Sequence, residues 1–360
     1  MKATVDAAAF AKAVKAAGSF IGATHLAALS MIRIAATEDS LELVAGNLEH
    51  WVSIDVDAEV SDAGTVLVAA HSLAQVAGHF AGTVDLVAED DALRLLGGDR
   101  QAEFRCGDLT AYPIVEWPDT DPVPLGDAWP RLRRILHAAS RDGDKQAAVR
   151  SDKQAAVRSV MLQADGTAVC TDSYRLAWCD FPAPVEDLLV PIDGVERVAR
   201  LLGDEVSMAV GDSNVAWSTA SMTIMSRLVV GQVPNWRGLL RPVPHSFEVD
   251  AAELVDALAM VSALNDKTSS HIRLRFVDGR LELGRTVQDV GVTRAEVDVV
   301  GEWPFKMGVN PRYLAEAVRA AQAGGAERVT LSADSANKPF RIVGGDIEQL
   351  LMPVSLAGAR

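Results

Sequence analysis

The chain has 360 residues, enough for two or three domains that each bury a core, and its 49% apolar and 23% charged content excludes a disordered or fibrous chain. A net charge of −15 argues against a protein that coats nucleic acid over its whole surface. No apolar run is long enough for a membrane helix, and the start MKATVDAAAF, with an acid at Asp6, lacks the basic-then-apolar layout of a secretion signal, so a cytoplasmic location is expected.

The first predicted element is a helix over 6–18. Asp6 can cap its free N–H groups, Phe10, Val14 and Ala17 form its apolar side, and Lys12 and Lys15 lie opposite. Alternation then predicts strands at Met31–Ile34 and Leu41–Leu43. The stretch from Val68 to Phe80 runs from an apolar segment into a second helix, 71–80, and Gly97-Gly98-Asp99 reads as a hairpin turn. Residues 119–124, with Pro122 and Pro124, read as a stiff linker that cannot continue a ladder. The third helix, 127–141, puts Arg131, Arg134 and Arg141 opposite Leu132, Ile135, Leu136 and Ala139.

A letter-for-letter duplication follows: DKQAAVRS at 144–151 and again at 152–159. The first copy looks inserted, and it would carry Lys145, Arg150 and Lys153 on an enlarged loop. Strands are expected at Val160–Leu162 and Ala168–Cys170, then a helix over 193–204 with Arg197 and Arg200 away from Val195, Val198 and Leu202. A second proline linker spans 241–245. The fifth helix, 250–264, has no Lys or Arg. Strands Ile272–Phe276 and Leu281–Leu283 flank the hairpin signal Asp278-Gly279. The sixth helix, 310–322, sets Arg312 and Arg319 against Leu314, Ala317 and Val318, and Gly344-Gly345-Asp346 reads as a final turn.

These elements repeat. Val5-Asp6-Ala7-Ala8 recurs as Val249-Asp250-Ala251-Ala252, with Asp127 halfway between, and Leu73, Val195 and Leu314 correspond in the later half of each repeat. The fold class is therefore α+β in three tandem repeats, with domains at 1–120, 126–242 and 246–356. The six helices hold ten basic and nine acidic residues, so nearly all the negative charge lies elsewhere. Basic helix faces without aromatic residues suit phosphate backbones, independent of base sequence.

Four segments carry a resemblance. The run Cys170-Thr171-Asp172-Ser173-Tyr174-Arg175-Leu176-Ala177 is similar to the "ATDGHRLA" segment of the bacterial DNA polymerase III β subunit, the sliding clamp. Ser226–Trp236 resembles its "SRLIDGEFPDY", Val309–Leu314 its "FNPRYL" and Leu350–Leu356 its "LLMPVRL". The resemblance covers essentially the whole chain. It implies a head-to-tail homodimeric ring, with helices inside and antiparallel sheets outside, that encircles double-stranded DNA and slides as a processivity factor. DNA-facing residues would be Lys12, Lys15, Arg131, Arg134, Arg141, Lys145, Arg150, Lys153, Arg197, Arg200, Arg312 and Arg319. It further implies a groove for a short extended peptide from the DNA polymerase III catalytic subunit, the clamp loader or other clamp-binding-motif proteins. That groove would use Val157, Thr171, Tyr174, Arg175, Leu176, Pro234, Leu239, Leu350, Met352, Pro353 and Val354, with Arg175 holding an acceptor. Phe104 and Cys106 on an edge strand, with Leu264, would form the dimer interface.

The chain departs from the family at Ser173 (usually glycine), Tyr174 (often histidine), Gly238 and Ser355 (often arginine), and Ala23, where a DNA-contacting arginine is frequent; the tail also runs past Leu356. These changes keep open a decoy or resistance copy with altered partner binding. A hydrolase built on Ser173, a histidine and Asp172 is the enzyme alternative. The three cysteines lack a CxxC and the seven histidines lack HExxH, so no metal, cofactor or catalysis is expected.

Overall fold

The computed structural model describes residues 1–22, 26–141, 152–264 and 271–356, with the backbone alone at 152–154. The first stretch runs β1 (Lys2–Asp6), α1 (Ala7–Gly18), β2 (Met31–Thr37), β3 (Ser40–Gly46), β4 (His50–Asp62), β5 (Gly64–Ala69), α2 (Ala70–Ala77), β6 (Thr83–Glu89), β7 (Ala92–Gly97) and β8 (Arg100–Arg105). The second runs β9 (Val123–Pro124), α3 (Ala128–Ile135), α4 (Asp152–Val157), β10 (Ser159–Gln163), β11 (Thr167–Thr171), β12 (Arg175–Asp180), β13 (Leu188–Pro191), α5 (Ile192–Leu201), β14 (Ser207–Val210), β15 (Asn214–Ser218) and β16 (Met222–Arg227). The third runs β17 (His245–Asp250), α6 (Ala251–Ser262), β18 (Ile272–Val277), β19 (Arg280–Val287), β20 (Gly291–Gly301), β21 (Lys306–Val309), α7 (Pro311–Gln322), β22 (Arg328–Ala333), β23 (Phe340–Gly344) and β24 (Ile347–Leu351). Among the described residues, strand, helix, four strands, helix, three strands recurs three times, with α4 added in the second.

The chain packs as two compact units. One holds Met1–Gly126 with Gly194–Leu228, the other Asp127–Asp193 with Val229–Arg360, so the middle repeat is shared between them. In the first unit the order β8-β7-β6-β1-β4-β16-β15-β14-β9 forms one antiparallel sheet, and β3, β2 and β5 extend from β4. In the second the order is β13-β10-β11-β12-β24-β23-β22-β17-β20-β19-β18-β21. Each unit therefore contains one seam between repeats. At the first, His50–Ile54 of β4 pairs with Met222–Ser226 of β16; at the second, Arg175–Trp178 of β12 pairs with Glu348–Leu351 of β24.

Helices form where the sequence places caps and an apolar stripe. The Asp6 carboxylate accepts from the Ala9 N–H at 2.8 Å, and Asp250 accepts from Glu253 at 2.9 Å. Asn310 caps α7 beside Pro311 at its first turn. Asp127 does not cap: its backbone is already helical (φ −64°, ψ −15°), whereas a capping side chain needs extended backbone. The third helix is also shorter than the predicted 127–141. It tightens into a 3₁₀ turn at Leu136–Ala138 and ends as Ala139 turns extended.

Val123–Pro124 is not a bare linker, since it pairs with β14 as the edge strand β9. An edge suits proline because the missing N–H is not needed there. Asp278 (φ 48°) and Gly279 (φ 80°) form the two-residue turn their sequence predicts. Trp303 anchors the core of the last repeat, edge-on to Phe247, Phe305 and Phe340. Leu254, Leu258 and Leu314 bury the apolar faces of α6 and α7 in the same cluster, each worth about 1.5–3 kcal/mol.

Candidate peptide groove and basic helix faces

Beside the β12–β24 seam lies an apolar floor of Met161, Val169, Leu176, Leu189, Trp236 and Leu350. Trp236 belongs to the segment leaving the middle repeat. Its ring lies 5.3 Å from Trp178, and its indole N–H donates to Gln163 Oε1 at 2.7 Å. Arg237 stacks on that ring and pairs with Asp165, pinning the segment to the sheet.

The β11–β12 turn sets the wall. Asp172 Oδ1 accepts from the N–H groups of Tyr174 and Arg175, both at 2.9 Å. Ser173 adopts a left-handed backbone (φ 76°), the conformation in which the family's glycine is unstrained. This turn throws Tyr174 outward, 64% exposed, while the Met352 N–H donates to the Tyr174 carbonyl at 2.8 Å. Met352 itself is 39% exposed.

The predicted groove residues thus divide by depth. Tyr174, Pro234, Leu239 and Met352 stand exposed, and Val157, Pro353 and Val354 are half-buried. Thr171, Leu176 and Leu350 are buried beneath. Arg175 corrects the expectation that it holds an acceptor for a ligand. It is buried; its Nε donates to Asp172 Oδ2 at 2.9 Å, it pairs with Glu316, and it lies 4.1 Å over the Tyr313 ring. Burial alone would push the Glu316 carboxyl up, but hydrogen bonds from Arg312 and Arg175 outweigh it and hold the group below its usual range. Both oxygens of Asp172 are engaged by its turn and by Arg175, an arrangement that does not support a serine hydrolase there. Sequence reasoning missed Trp178, Trp236 and the exposed Leu240; the one signal was the aromatic residue just past the "SRL" segment.

The basic residues also divide. On α1, Lys12 and Lys15 are exposed opposite buried Phe10, Val14 and Ala17. Arg200 of α5 is exposed, whereas Arg197 donates to the Ser19 carbonyl at 2.6 Å and lies over the Phe20 ring. Arg131 and Arg134 depart from the expected solvent-facing placement. Arg134 binds both oxygens of Asp346, at 2.7 and 2.9 Å, with its side chain 12% exposed; Arg131 lies 3.5 Å from the same carboxylate. Arg133, which the periodicity did not select, is exposed and lines a cavity of about 510 Å³ with Arg319, His137 and Glu316, between α3 and α7. Arg141 and Arg319 are exposed, and Arg312 is exposed although paired with Glu316. Helix α6 presents Glu253 and Asp256 instead. Ala23, Lys145 and Arg150 lie outside the described residues, as does the Lys153 side chain.

Of the interface candidates, Phe104 lies half-buried on β8, the end strand of its sheet. Cys106 lies one residue beyond that strand, bridging Val68 instead, and burial with Asp91 beside it pushes its thiol up. Leu264 stands against the bare Cα of Gly291 at the start of β20. Among the described residues no cluster of three or more potential metal ligands occurs.

Two family descriptions fit this chain, both of the DNA polymerase III beta subunit: its C-terminal domain matches over residues 243–355 and its central domain over 147–235. Together they span more than half the sequence. The chain belongs to the DNA polymerase III β subunit family, the bacterial sliding clamps. The beta sliding clamp of Streptomyces coelicolor is 26% identical over 99% of this chain and all of its own length. The solved DNA polymerase III subunit beta of Pseudomonas aeruginosa superposes with a TM-score of 0.87 at 22% identity, covering 99% of this chain and all of that one. The Helicobacter pylori beta clamp, solved bound to a DNA ligase peptide, superposes with a TM-score of 0.85 at 18% identity, with the same coverage. The β-clamp fold accounts for the α+β repeats and the wholly antiparallel sheets.

Proposed function

We propose that the protein is a DNA sliding clamp without catalysis of its own, built of three clamp domains at 1–120, 126–242 and 246–356. Two copies close head to tail around duplex DNA, and the groove beside Met352 tethers the polymerase, the clamp loader and other proteins that carry a short apolar motif. The ligase peptide on the Helicobacter pylori clamp supports a peptide as the groove's ligand.

The observation that carries the reading is the repeated seam. β4 joins β16 and β12 joins β24 in matching register: His50 faces Ser226 where Arg175 faces Leu351. After each of these first strands' turns the same backbone bond recurs, Arg227 N–H to Glu49 and Met352 N–H to Tyr174, both 2.8 Å. A third seam would need β20 and β8, the corresponding strands of the last and first repeats. β8 ends its sheet, and among the described residues no strand pairs with Gly291–Asp298 opposite β19. Carrying the register over sets Gly291 against Phe104 and Thr293 against Ala102 of a second copy. Two copies joined at two such seams give every repeat boundary the same strand pairing, which closes a ring.

Within that ring Lys12, Lys15, Arg133, Arg141, Arg200, Arg312 and Arg319 face DNA. Backbone-only contacts exchange freely and let the ring slide, and retention comes from threading rather than affinity. After loading, the protein should stay on closed circular DNA and be lost from the same DNA once it is linearised; equal loss from both forms refutes the reading.

A further inference from the structure

The construction of the groove is present a second time, in the other compact unit. At the β3–β4 turn, Asn47 Oδ1 accepts from the N–H groups of Glu49 and His50 at 3.2 and 2.9 Å, as Asp172 does at the β11–β12 turn. Leu48 takes the left-handed backbone of Ser173, φ 74° against 76°. The segment leaving the first repeat plants Tyr112 on the sheet: its hydroxyl donates to the Val44 carbonyl at 3.0 Å and its ring meets Trp51 edge-on at 6.0 Å. This matches Trp236 beside Trp178. Val44, Trp51, Leu67, Tyr112 and Met225 form the apolar cluster that Val169, Leu176, Leu189, Trp236 and Leu350 form at the other seam.

Beside this cluster the 109–117 segment and the outer face of β2, β3 and β5 enclose a cavity of about 440 Å³, within the range of ligand sites. Its walls are Leu109, Ile114, Val115 and Trp117; Ile114 is 92% exposed and Leu109 41%. Ile114 and Leu109 thus give the cavity an exposed apolar rim. The floor differs from that of the first groove in charge. Arg33 and Glu42 stand where Met161 and Thr167 stand at the other seam, and Glu42 faces Asp55 directly across β3 and β4. Arg33 pairs with Glu42 at 2.8 Å, and burial together with the neighbouring Glu42 pushes the Asp55 carboxyl up.

We propose that this cavity is a second docking site, for an extended segment of a partner protein that bears a large apolar side chain flanked by lysine or arginine. The apolar side chain fills the cavity between Ile114 and Val44, and the flanking cation offsets the negative charge of Asp55 that remains once Arg33 has paired with Glu42. The parallel with the first groove rests on reading that groove as a peptide site; the cavity and its charge do not depend on it.

The test uses the full-length protein and two tetrapeptide probes, Lys-Leu-Phe-Lys and Glu-Leu-Phe-Glu, each with photo-leucine at its second position, and maps crosslinks by mass spectrometry. The basic probe should label residues 109–117 in the wild type and equally in Met352→Arg. Labelling there should fall at least fivefold in Ile114→Ser, an exposed change that leaves the fold intact, and at least fivefold with the acidic probe. Absent labelling of 109–117, labelling unchanged by Ile114→Ser, or equal labelling by the acidic probe overturns the proposal. Crosslinks at 350–354 report on the first groove separately, so the failure of either site is distinguishable from that of the other.

Discussion

At the scale of single residues, neighbouring arginines on one helix do different work. Arg134 ties α3 to Asp346, whereas Arg133, one position on, is exposed. Arg133→Ala should lower the slope of log retention against log salt by about 0.9, the loss of one phosphate contact, with little change in stability. Arg134→Ala should instead destabilise by about 1 kcal/mol, because Asp346 loses its two-point partner and the nearly buried Arg134 stem its packing, and should leave the salt slope unchanged. Urea unfolding and salt-dependent retention on circular DNA separate the two; a reversed pattern contradicts the assignment. In the groove, Met352→Ala removes an exposed apolar wall that the buried floor cannot replace. A clamp-binding peptide should bind about tenfold more weakly, as in the loss of one interface anchor, read by fluorescence anisotropy; unchanged binding would place the groove elsewhere.

At the scale of elements, the β12–β24 seam is reinforced by charge. Asp346 is held below the usual carboxylate range by its hydrogen bond from Arg134, and Glu316 by Arg312 and Arg175 against the opposing effect of burial. Burial lowers the pKa of His137, which lies beside these groups. All three bind protons less readily folded than unfolded. Their contribution is therefore complete above the unfolded pKa values of 6.5, 4.5 and 3.8 and is lost as pH falls below each. The urea midpoint should decline in two stages, first below about pH 6.5 and again below about pH 4.5. A midpoint that rises through the first stage contradicts the assignment.

Most helices were legible in the sequence because a 3.6-residue stripe and, at α1, α6 and α7, a capping residue are local signals: among the described residues five of the seven α-helices lie within three residues of the predicted bounds, while α3 stops early at Ile135. Helix α4 was not, since DKQAAV has no apolar stripe of its own. Asp127 failed as a cap because the cap depends on a backbone angle that composition does not encode. The groove's members were legible only through family segments. The Arg175–Asp172 contact is local, three positions apart, whereas the depths of the groove residues and the pairing of Arg175 with Glu316, 141 positions on, arise from long-range packing.

At the scale of the whole molecule, one seam is used twice within the chain and its two halves remain at β8 and β20. Repetition explains why an acidic chain can be a DNA-encircling protein: each repeat gives its sheet to solvent and to its neighbours and keeps basic side chains on its helices, so threading replaces affinity. The most direct measurement places cysteines at Ala102→Cys and Thr293→Cys in a Cys106→Ser background. The protein is oxidised mildly and run on a non-reducing gel. The account predicts a covalent species at twice the chain mass, absent from either single variant alone. A product that stays at the mass of one chain, from protein that also sediments as a monomer, would contradict it.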